Sequence, residues 1–404
     1  MSNRPRLVVV APIEPASTGN GLAMRVQMLV EAAARNQRVE LVVVPVSGTP
    51  PIVDQERPTP LQVVPALDDG DHRALDPWLA DPIWRSRLAR LAPLPRAVTR
   101  VPLVPEMIVL DDHGPISGVL ACRLTTSLLG LRLAEMLQVP LVVDLDDDDE
   151  ALAASRGDAA TAQSWHRVAS LVLDHTHLTL AASAPVAEAI GAKHTADHPT
   201  VVPNAAPAPT AAATPRPGDR RVLMVANFDY PPNRDAARWL LDQVLPLLPE
   251  RWSLDLVGPG GTSLRGHIHH DGRVRFHGLV SDLDALYSAS DVAVAPLLAG
   301  SGSRIKVLEA FANRRPVVAT TVGVDGLLVE PGHHVLVADA PEDFADAIVA
   351  LDDPYLARRL VSAAERLVAS TYHRHDVIAT AARTLERAFD GERPGAPRTE
   401  ERGP

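Results

Sequence analysis

The side chains best placed to do chemistry sit in one segment, Pro296-Leu-Leu-Ala-Gly-Ser-Gly-Ser-Arg-Ile-Lys-Val-Leu-Glu-Ala-Phe-Ala-Asn-Arg-Arg-Pro316. Gly300 and Gly302 permit a sharp strand-to-helix turn and a close backbone approach, and Ser303 can cap the helix that follows. The free amides and positive dipole end of such a helix form an anion site. Inside it, Val307, Leu308, Ala310, Phe311 and Ala312 are apolar nearly all round, as in a buried helix. Lys306, Glu309 and Asn313 interrupt that surface at spacings of three and four, so they share one stripe and must line a cleft or pair with each other. A plain Lys306–Glu309 surface pair is worth only a few tenths of a kcal/mol, and it explains neither the apolar surroundings nor the glycine turn. A ligand with a diphosphate and a ribose explains all three: Lys306 and the helix amides meet phosphate, and Glu309 accepts from sugar hydroxyls.

Such a site needs a strand before it and a sheet around it. After a stretch rich in alanine, proline and threonine, Ala205 to Gly218, the pattern reads strand Val222 to Val225, helix Asn233 to Leu248, strands Leu254 to Val257 and Val274 to Phe276, helix Leu283 to Ser288, strand Val292 to Ala295, helix Arg304 to Asn313 and strand Val317 to Ala319. Helices Pro341 to Leu351, Tyr355 to Ala369 and His375 to Phe389 close the chain. The first half alternates likewise: strand Leu7 to Ala11, a flexible Ser17 to Gly21, helix Leu22 to Arg35, strand Val39 to Val44, and further short apolar runs at Val119 to Cys122, Leu141 to Val143 and Leu178 to Ala182. Pro50 to Pro105 reads as an irregular, partly helical insertion. Alternating strands and helices predict an α/β protein of two Rossmann-like domains with parallel sheets. The expected boundaries are 1–205, a linker at 206–218, 219–375, a C-terminal helix at 376–390 and a disordered tail at 391–404.

A length of 404 residues suits two domains. The net charge of -11 argues against a sequence-independent nucleic-acid footprint or an anionic-membrane patch. Cys122 is the only cysteine, which excludes an intramolecular disulfide and a cysteine metal cluster. No run approaches the roughly 18 apolar residues that cross a bilayer, and Leu7 to Ala11 is too short for a signal-peptide core; the expected location is cytoplasmic. Lys193 and Lys306 are the only lysines in an arginine-rich chain. Asp144 to Asp149 contains Asp-x-Asp, yet a carboxylate run closing a strand also serves as a solvated loop and helix start. His175-Thr-His177 and His267-Ile-His-His270 lack further ligands at suitable spacing and read as solvated.

The Pro296–Pro316 segment resembles the signature of retaining glycosyltransferase family 4, glycosyl transferases group 1, whose members adopt the GT-B fold of two facing Rossmann-like domains. Val225-Ala-Asn-Phe-Asp-Tyr-Pro-Pro-Asn233-Arg-Asp-Ala236, Leu254-Asp-Leu-Val-Gly258, Val274-Arg-Phe-His-Gly278, Ser290-Asp-Val-Ala-Val-Ala-Pro296, Pro316-Val-Val-Ala-Thr320 and the Val201-Val-Pro-Asn204 link agree in order and spacing. In the first half the likeness rests on Gly19, Asn20 and Gly21 with Arg25 and on Pro140 to Asp147. The resemblance implies transfer of a sugar from a nucleotide-diphosphate sugar with retention of configuration, by front-face displacement without a protein nucleophile. It implies neither a metal nor a cofactor beyond that co-substrate. Arg304, Lys306 and the amides of Gly302 and Ser303 would stabilise the leaving diphosphate; Glu309 would hold the ribose; His277, Gly278, Leu279 and Val280 would frame the base. Ile305, Asn227, Phe228 and Ser301 complete the donor side, while Gly19, Asn20, Gly21, Arg25, Arg123, Asp144 and Asp146 face the cleft from the first domain. The acceptor, a glycan, a lipid-linked glycan or a small molecule, is left open.

The departures are specific. Ser301 stands where many relatives carry the first of two glutamates, the Asn233 motif replaces an Arg and Lys pair after the first C-domain strand, and Arg123 occupies the place of an N-domain histidine, for which His113 is a weaker substitute. A degenerate GT-B module that binds without catalysis, or a GT-B epimerase or phosphorylase, shares these features. A nicotinamide oxidoreductase is disfavoured because no Gly-x-Gly-x-x-Gly follows the first strand.

Overall fold

The computed structural model describes residues 4–17, 20–46, 61–67, 80–102, 108, 110, 114–194, 198–208, 220–267, 272–280, 282–300, 302 and 304–390. Two parallel sheets organise the chain. The first comprises β1 (Arg6–Ala11), β2 (Arg38–Val43), β3 (Leu61–Val63), β4 (Ile116–Cys122), β5 (Leu141–Leu145), β6 (Leu178–Ala181) and β7 (Thr200–Val201), in the spatial order β3-β2-β1-β4-β5-β6-β7. The second comprises β8 (Arg220–Val225), β9 (Trp252–Val257), β10 (Val274–Gly278), β11 (Val292–Ala295), β12 (Val317–Ala319) and β13 (Leu336–Val337), in the order β10-β9-β8-β11-β12-β13.

Continuous apolar strands are what a sheet covered on both faces demands. β1 is buried along its whole length, and its alternate residues serve opposite cores: Val8 and Val10 join one apolar cluster, Leu7, Val9 and Ala11 the other. In the second sheet Val222 and Met224 face one cluster and Leu223 the other. Both strand orders reverse once, between β1 and β4 and between β8 and β11. At such a switch point the connections leave on opposite faces, and a crevice opens beyond the strands' carboxyl ends.

Some local expectations shift. The anticipated helix at Asn233 to Leu248 is a helix over Pro231–Trp239, a wider turn over Leu240–Val244 and a tight turn over Leu245–Leu247. Pro246 is the reason, since it has no amide to donate and its ring crowds the preceding turn. The Pro50 to Pro105 insertion supplies an edge strand, β3, besides the helices Pro82–Leu91 and Arg96–Thr99. The helix of the key segment starts at Ile305 with Arg304 at its cap position and no side-chain cap bond, and Ser303 lies outside the described residues. The 391–404 tail and residues 209–218 of the linker also lie outside them. No helix among the described residues is long and apolar enough to cross a membrane.

The last helix, Arg374–Phe389, packs on the first domain. Val377, Ile378, Ala381, Ala382, Leu385 and Ala388 belong to the same core cluster as Leu7, Val9, Val26 and Leu29. Arg374 pairs with Glu31 at 2.6 Å. Phe389 lies so close over Gly118 that a Cβ there would come within 2.2 Å of the ring. Where the chain leaves the first domain and where it returns are joined by one bond, Ala206 N donating to Tyr372 O at 2.9 Å.

Candidate active site

The two switch points face each other across a cavity of 390 Å³, within the range of small-molecule sites. Its walls are loops that close strands. After β1 come Asn20, Gly21, Leu22 and Met24; after β4, Arg123; after β5, Asp146 and Asp147. From the second sheet come Ala226 to Asn233 without Phe228, and Leu297, Ala299, Gly300, Gly302, Arg304, Ile305, Lys306 and Glu309.

The helix Ile305–Ala312 delivers the cationic and acidic pair. Val307, Leu308, Ala310 and Phe311 anchor it in the second domain, leaving Ile305, Lys306 and Glu309 on the cavity side. Lys306 Nζ donates to Asn233 Oδ1 at 2.7 Å, and Asn233 Nδ2 donates to the carbonyl of Asn227 at 2.9 Å. Burial pushes the Lys306 ammonium down to about 7, aided by the nearby Arg304 charge. Glu309 Oε2 accepts from the buried Tyr287 hydroxyl at 3.1 Å. Burial, with Asp284 adding repulsion, pushes Glu309 up to about 7 despite that bond and Lys306. The two charges are held in a place that disfavours both until a partner arrives. Asn313, the third polar residue of the stripe, turns its side-chain amide back onto the Glu309 carbonyl at 3.0 Å and does not reach the cavity.

Arg304 departs from the simple expectation that it meets phosphate. Its Nε donates to Val322 O at 2.8 Å, one terminal nitrogen to Gly300 O at 2.6 Å and the other to Gly302 O. The guanidinium thus gathers the carbonyls of the turn behind itself, with Gly300 in a left-handed conformation at φ 122° that suits glycine. Ser301 lies outside the described residues. Gly302 meets the opposite domain, since a Cβ there would stand 3.0 Å from Asp147 Oδ2. Gly21 does the same from the first domain, 3.6 Å from Ile305.

On the first-domain side, Asn20 caps the helix Gly21–Ala34, its Oδ1 accepting from Leu22 N and Ala23 N at 3.0 and 3.2 Å. Gly19 and His113 lie outside the described residues. Arg123 adopts φ 68°, a strained conformation for a non-glycine residue of the kind that clusters at functional sites. Its guanidinium lies 3.1 Å from Asp146, 2.9 Å from Asp147 and 3.6 Å from Asp149. Tyr230 reaches this cluster from the second domain, and its buried hydroxyl has no hydrogen-bond partner; nor do Asp146 Oδ1 and Asp149 Oδ2. Burial, reinforced by Asp147 and Asp146 against the pull of Arg123, raises Asp149 to about 7.

Seven residues expected at the cleft are elsewhere. Arg25 and Asp144 are fully buried partners, Nε to Oδ2 at 2.8 Å and Nη2 to Oδ1 at 2.6 Å. Arg25 Nη1 also donates to Val202 O and Asn204 Oδ1, each at 3.0 Å. Four guanidinium N–H bonds of Arg25 are thus directed at Asp144, Val202 and Asn204, so the pair braces the exit of the first domain. Phe228 is a core residue with no exposed surface. His277, Gly278, Leu279 and Val280 do not line the cavity: β10 is the sheet edge, separated from β11 by β9 and β8, and His277 Nε2 lies 2.7 Å from Asp255. Sequence reading had missed Tyr230, Asp147 and Tyr287. Tyr230 lies within a quoted motif, and its position between β8 and a helix-opening proline is a signal that was available.

Comparison with known proteins places this geometry. Residues 219–353 match the family model described as Glycosyl transferases group 1. A protein of Klebsiella pneumoniae, described as an uncharacterized 44.6 kDa protein in the cps region, is 27% identical over 139 residues, which is 32% of this chain and 36% of that protein. Sucrose-phosphate synthase from Thermosynechococcus elongatus superposes with a TM-score of 0.69 at 17% identity, covering 96% of this chain and 100% of that one. Anabaena HepE, solved with UDP and glucose, gives 0.66 at 15% identity, covering 95% and 99%. WaaG, a glycosyltransferase of lipopolysaccharide biosynthesis, gives 0.62 at 14%, covering 95% and 100%. The fold is that of the GT-B glycosyltransferases.

Proposed function

We propose that this chain is a retaining glycosyltransferase that moves a sugar from a nucleotide-diphosphate sugar, held by the second domain, to an acceptor lying against the first, with no metal ion in the chemical step. The observation that carries the reading is the Lys306–Glu309 stripe: two charges, each unfavourable where it sits, beside a glycine turn in an interdomain cavity. The group 1 match over residues 219–353 and the UDP and UDP-glucose bound to the structurally similar HepE support it.

In this mechanism the turn at Gly300 to Gly302 offers backbone amides to the diphosphate, and Lys306 supplies the charge that counts more as the glycosidic oxygen leaves. Arg304 acts through its grip on the turn carbonyls and through its field. Glu309 accepts from the ribose hydroxyls, with Tyr287 holding its far oxygen. Arg123, Asp146 and Asp147 position an acceptor hydroxyl beside the anomeric carbon, where proximity lowers the barrier; the departing phosphate takes the proton.

Two expected results follow from the charges. Affinity for UDP, measured by calorimetry, peaks near pH 7. Diphosphate raises the Lys306 pKa, so affinity falls above about 7 by up to roughly tenfold per pH unit. Ribose hydroxyls favour ionised Glu309, so affinity also falls as pH drops below about 7. Glu309→Gln removes the acid limb and weakens UDP and donor together; a flat profile in the wild type, or unchanged binding in Glu309→Gln, returns the stripe to a structural role. The other result concerns metal. Single-turnover transfer persists in chelator, because the cavity meets phosphate with amides and Lys306. Abolition by chelation and rescue by magnesium or manganese would assign the Asp144 to Asp149 run to the chemistry.

A further inference from the structure

A second cluster lies behind the acidic wall of the cavity, on the other side of the loop that carries Asp146 and Asp147. Glu150 opens the helix Asp149–Ser155, His166 lies in the helix Ala159–Leu173 and His194 follows the helix Ala184–Lys193. One donor atom from each lies within 4.8 Å of the others, the one such convergence of three found among the described residues. His166 Nδ1 is 3.1 Å and His194 Nε2 3.7 Å from the same Glu150 Oε2. Adjacent donors around a tetrahedral zinc ion with bonds of 2.0–2.1 Å are about 3.3 Å apart, so a small ion fits between these atoms with little movement.

The surroundings favour a cation over a simple ion pair. The two imidazoles stack with centroids 4.9 Å apart, an arrangement in which two protonated rings would repel. Ser170 Oγ lies 3.1 Å from His194 Nδ1, so that with Nδ1 protonated the ring presents an Nε2 lone pair toward a carboxylate. The serine can hold Nδ1 as the donor and so leave Nε2 free to ligate, the kind of partner that fixes a ligand's tautomer. The lysine nearby does not cancel the site: Lys193 Nζ sits 2.8 Å from Asp148 and 3.7 Å from Glu150 Oε1, so one positive charge stands against two negative ones and Oε2 stays directed at the histidines.

The geometry points to a zinc-type divalent cation site formed by Glu150 Oε2, His166 Nδ1 and His194 Nε2, with a solvent-facing fourth position beside the partly exposed His166. Its role is structural and regulatory: a bound ion ties three helices together at the residue that follows Asp149, and so stiffens the loop presenting Asp146 and Asp147 to the cavity. This rests on the cluster alone and is independent of the donor-site reading.

The test uses the full chain stripped with chelator and titrated with Zn²⁺ by calorimetry and thermal unfolding, and with Co²⁺ by visible absorption. One zinc ion per chain is expected, with a raised melting temperature and the intense absorption of tetrahedral cobalt. His166→Gln, at a partly exposed position that the fold does not need, and Glu150→Gln each weaken binding on the order of a hundredfold or more, beyond what second-shell changes do. His175→Gln, in the same domain but outside the cluster, binds as wild type. Substoichiometric binding in the wild type, or equal binding in His166→Gln and His175→Gln, overturns the site. UDP-induced stabilisation measured on the same samples reports the donor site separately.

Discussion

Lys306→Ala lowers turnover on the order of a hundredfold or more while raising the donor Michaelis constant far less, the pattern of a group whose charge matters most as negative charge develops. The lysine is held by Asn233, which is itself held by the carbonyl of Asn227, so its ammonium is aimed before any ligand arrives. It is also one of only two lysines in the chain. Where arginine is used nearly everywhere else, a compact ammonium on a stripe walled by Ile305, Val307 and Leu308 is hard to replace by a planar guanidinium. Lys306→Arg therefore rescues poorly. An accompanying gain in stability is expected for Lys306→Met, because a lysine whose folded pKa lies near 7 penalises the folded state at every pH below its unfolded value of about 10.4, the penalty shrinking as pH rises from 7 toward that value. Steady-state kinetics on variants checked by circular dichroism decide the matter; turnover within a few-fold of wild type in Lys306→Ala would sink the donor-site assignment.

Asp144→Ala acts on stability. It leaves the Arg25 guanidinium, fully buried, without its hydrogen-bonded carboxylate and with only the more distant Asp146 charge, and breaking a buried pair from one side costs about 3–5 kcal/mol. For a domain of this size that corresponds to a melting point lower by roughly 6–20 °C. Because Arg25 also grips Val202 O and Asn204 Oδ1, the loss loosens the exit from the first domain as well. Asp146→Asn, two residues away on the cavity side, leaves the melting point nearly unchanged and lowers transfer instead. A loss below about 1 kcal/mol in Asp144→Ala, read by urea unfolding, would restore Asp144 as a cleft residue.

The contrast between those two aspartates shows where sequence reading reaches its limit. Lys306 and Glu309 are legible because three residues along a helix is a local relation that places them on one side. The glycine turn is legible because only certain conformations follow Gly-x-Gly before a helix. Asp144 and Asp146 are indistinguishable in a run of acids, since what separates them is a partner 119 residues away. Phe228 looked like a ligand contact because it stands in a motif, yet Phe276 and Gly261 leave it a core position. The His277 to Val280 loop is suggested by the resemblance and by its place at a strand's carboxyl end, whereas the spatial order of strands carries β10 to the sheet edge. Arg304 is adjacent to the glycine turn as its position suggests, but three carbonyls within reach of one guanidinium are a property of the folded turn. Glu150, His166 and His194 are separated by whole helices and have no spacing to recognise.

The last helix has a consequence for how the chain is made. Its apolar face completes the core that contains β1 and the first helix, so the surfaces of Leu7, Val9 and Val26 emerge from the ribosome long before their covering does. The second domain, whose cores draw on residues from 206 to 372, can close while the first still lacks a wall. The usual order of co-translational folding, amino-terminal domain first, is reversed for the final packing step. A nascent chain stalled short of Arg374 carries a finished second domain and an unsealed first one.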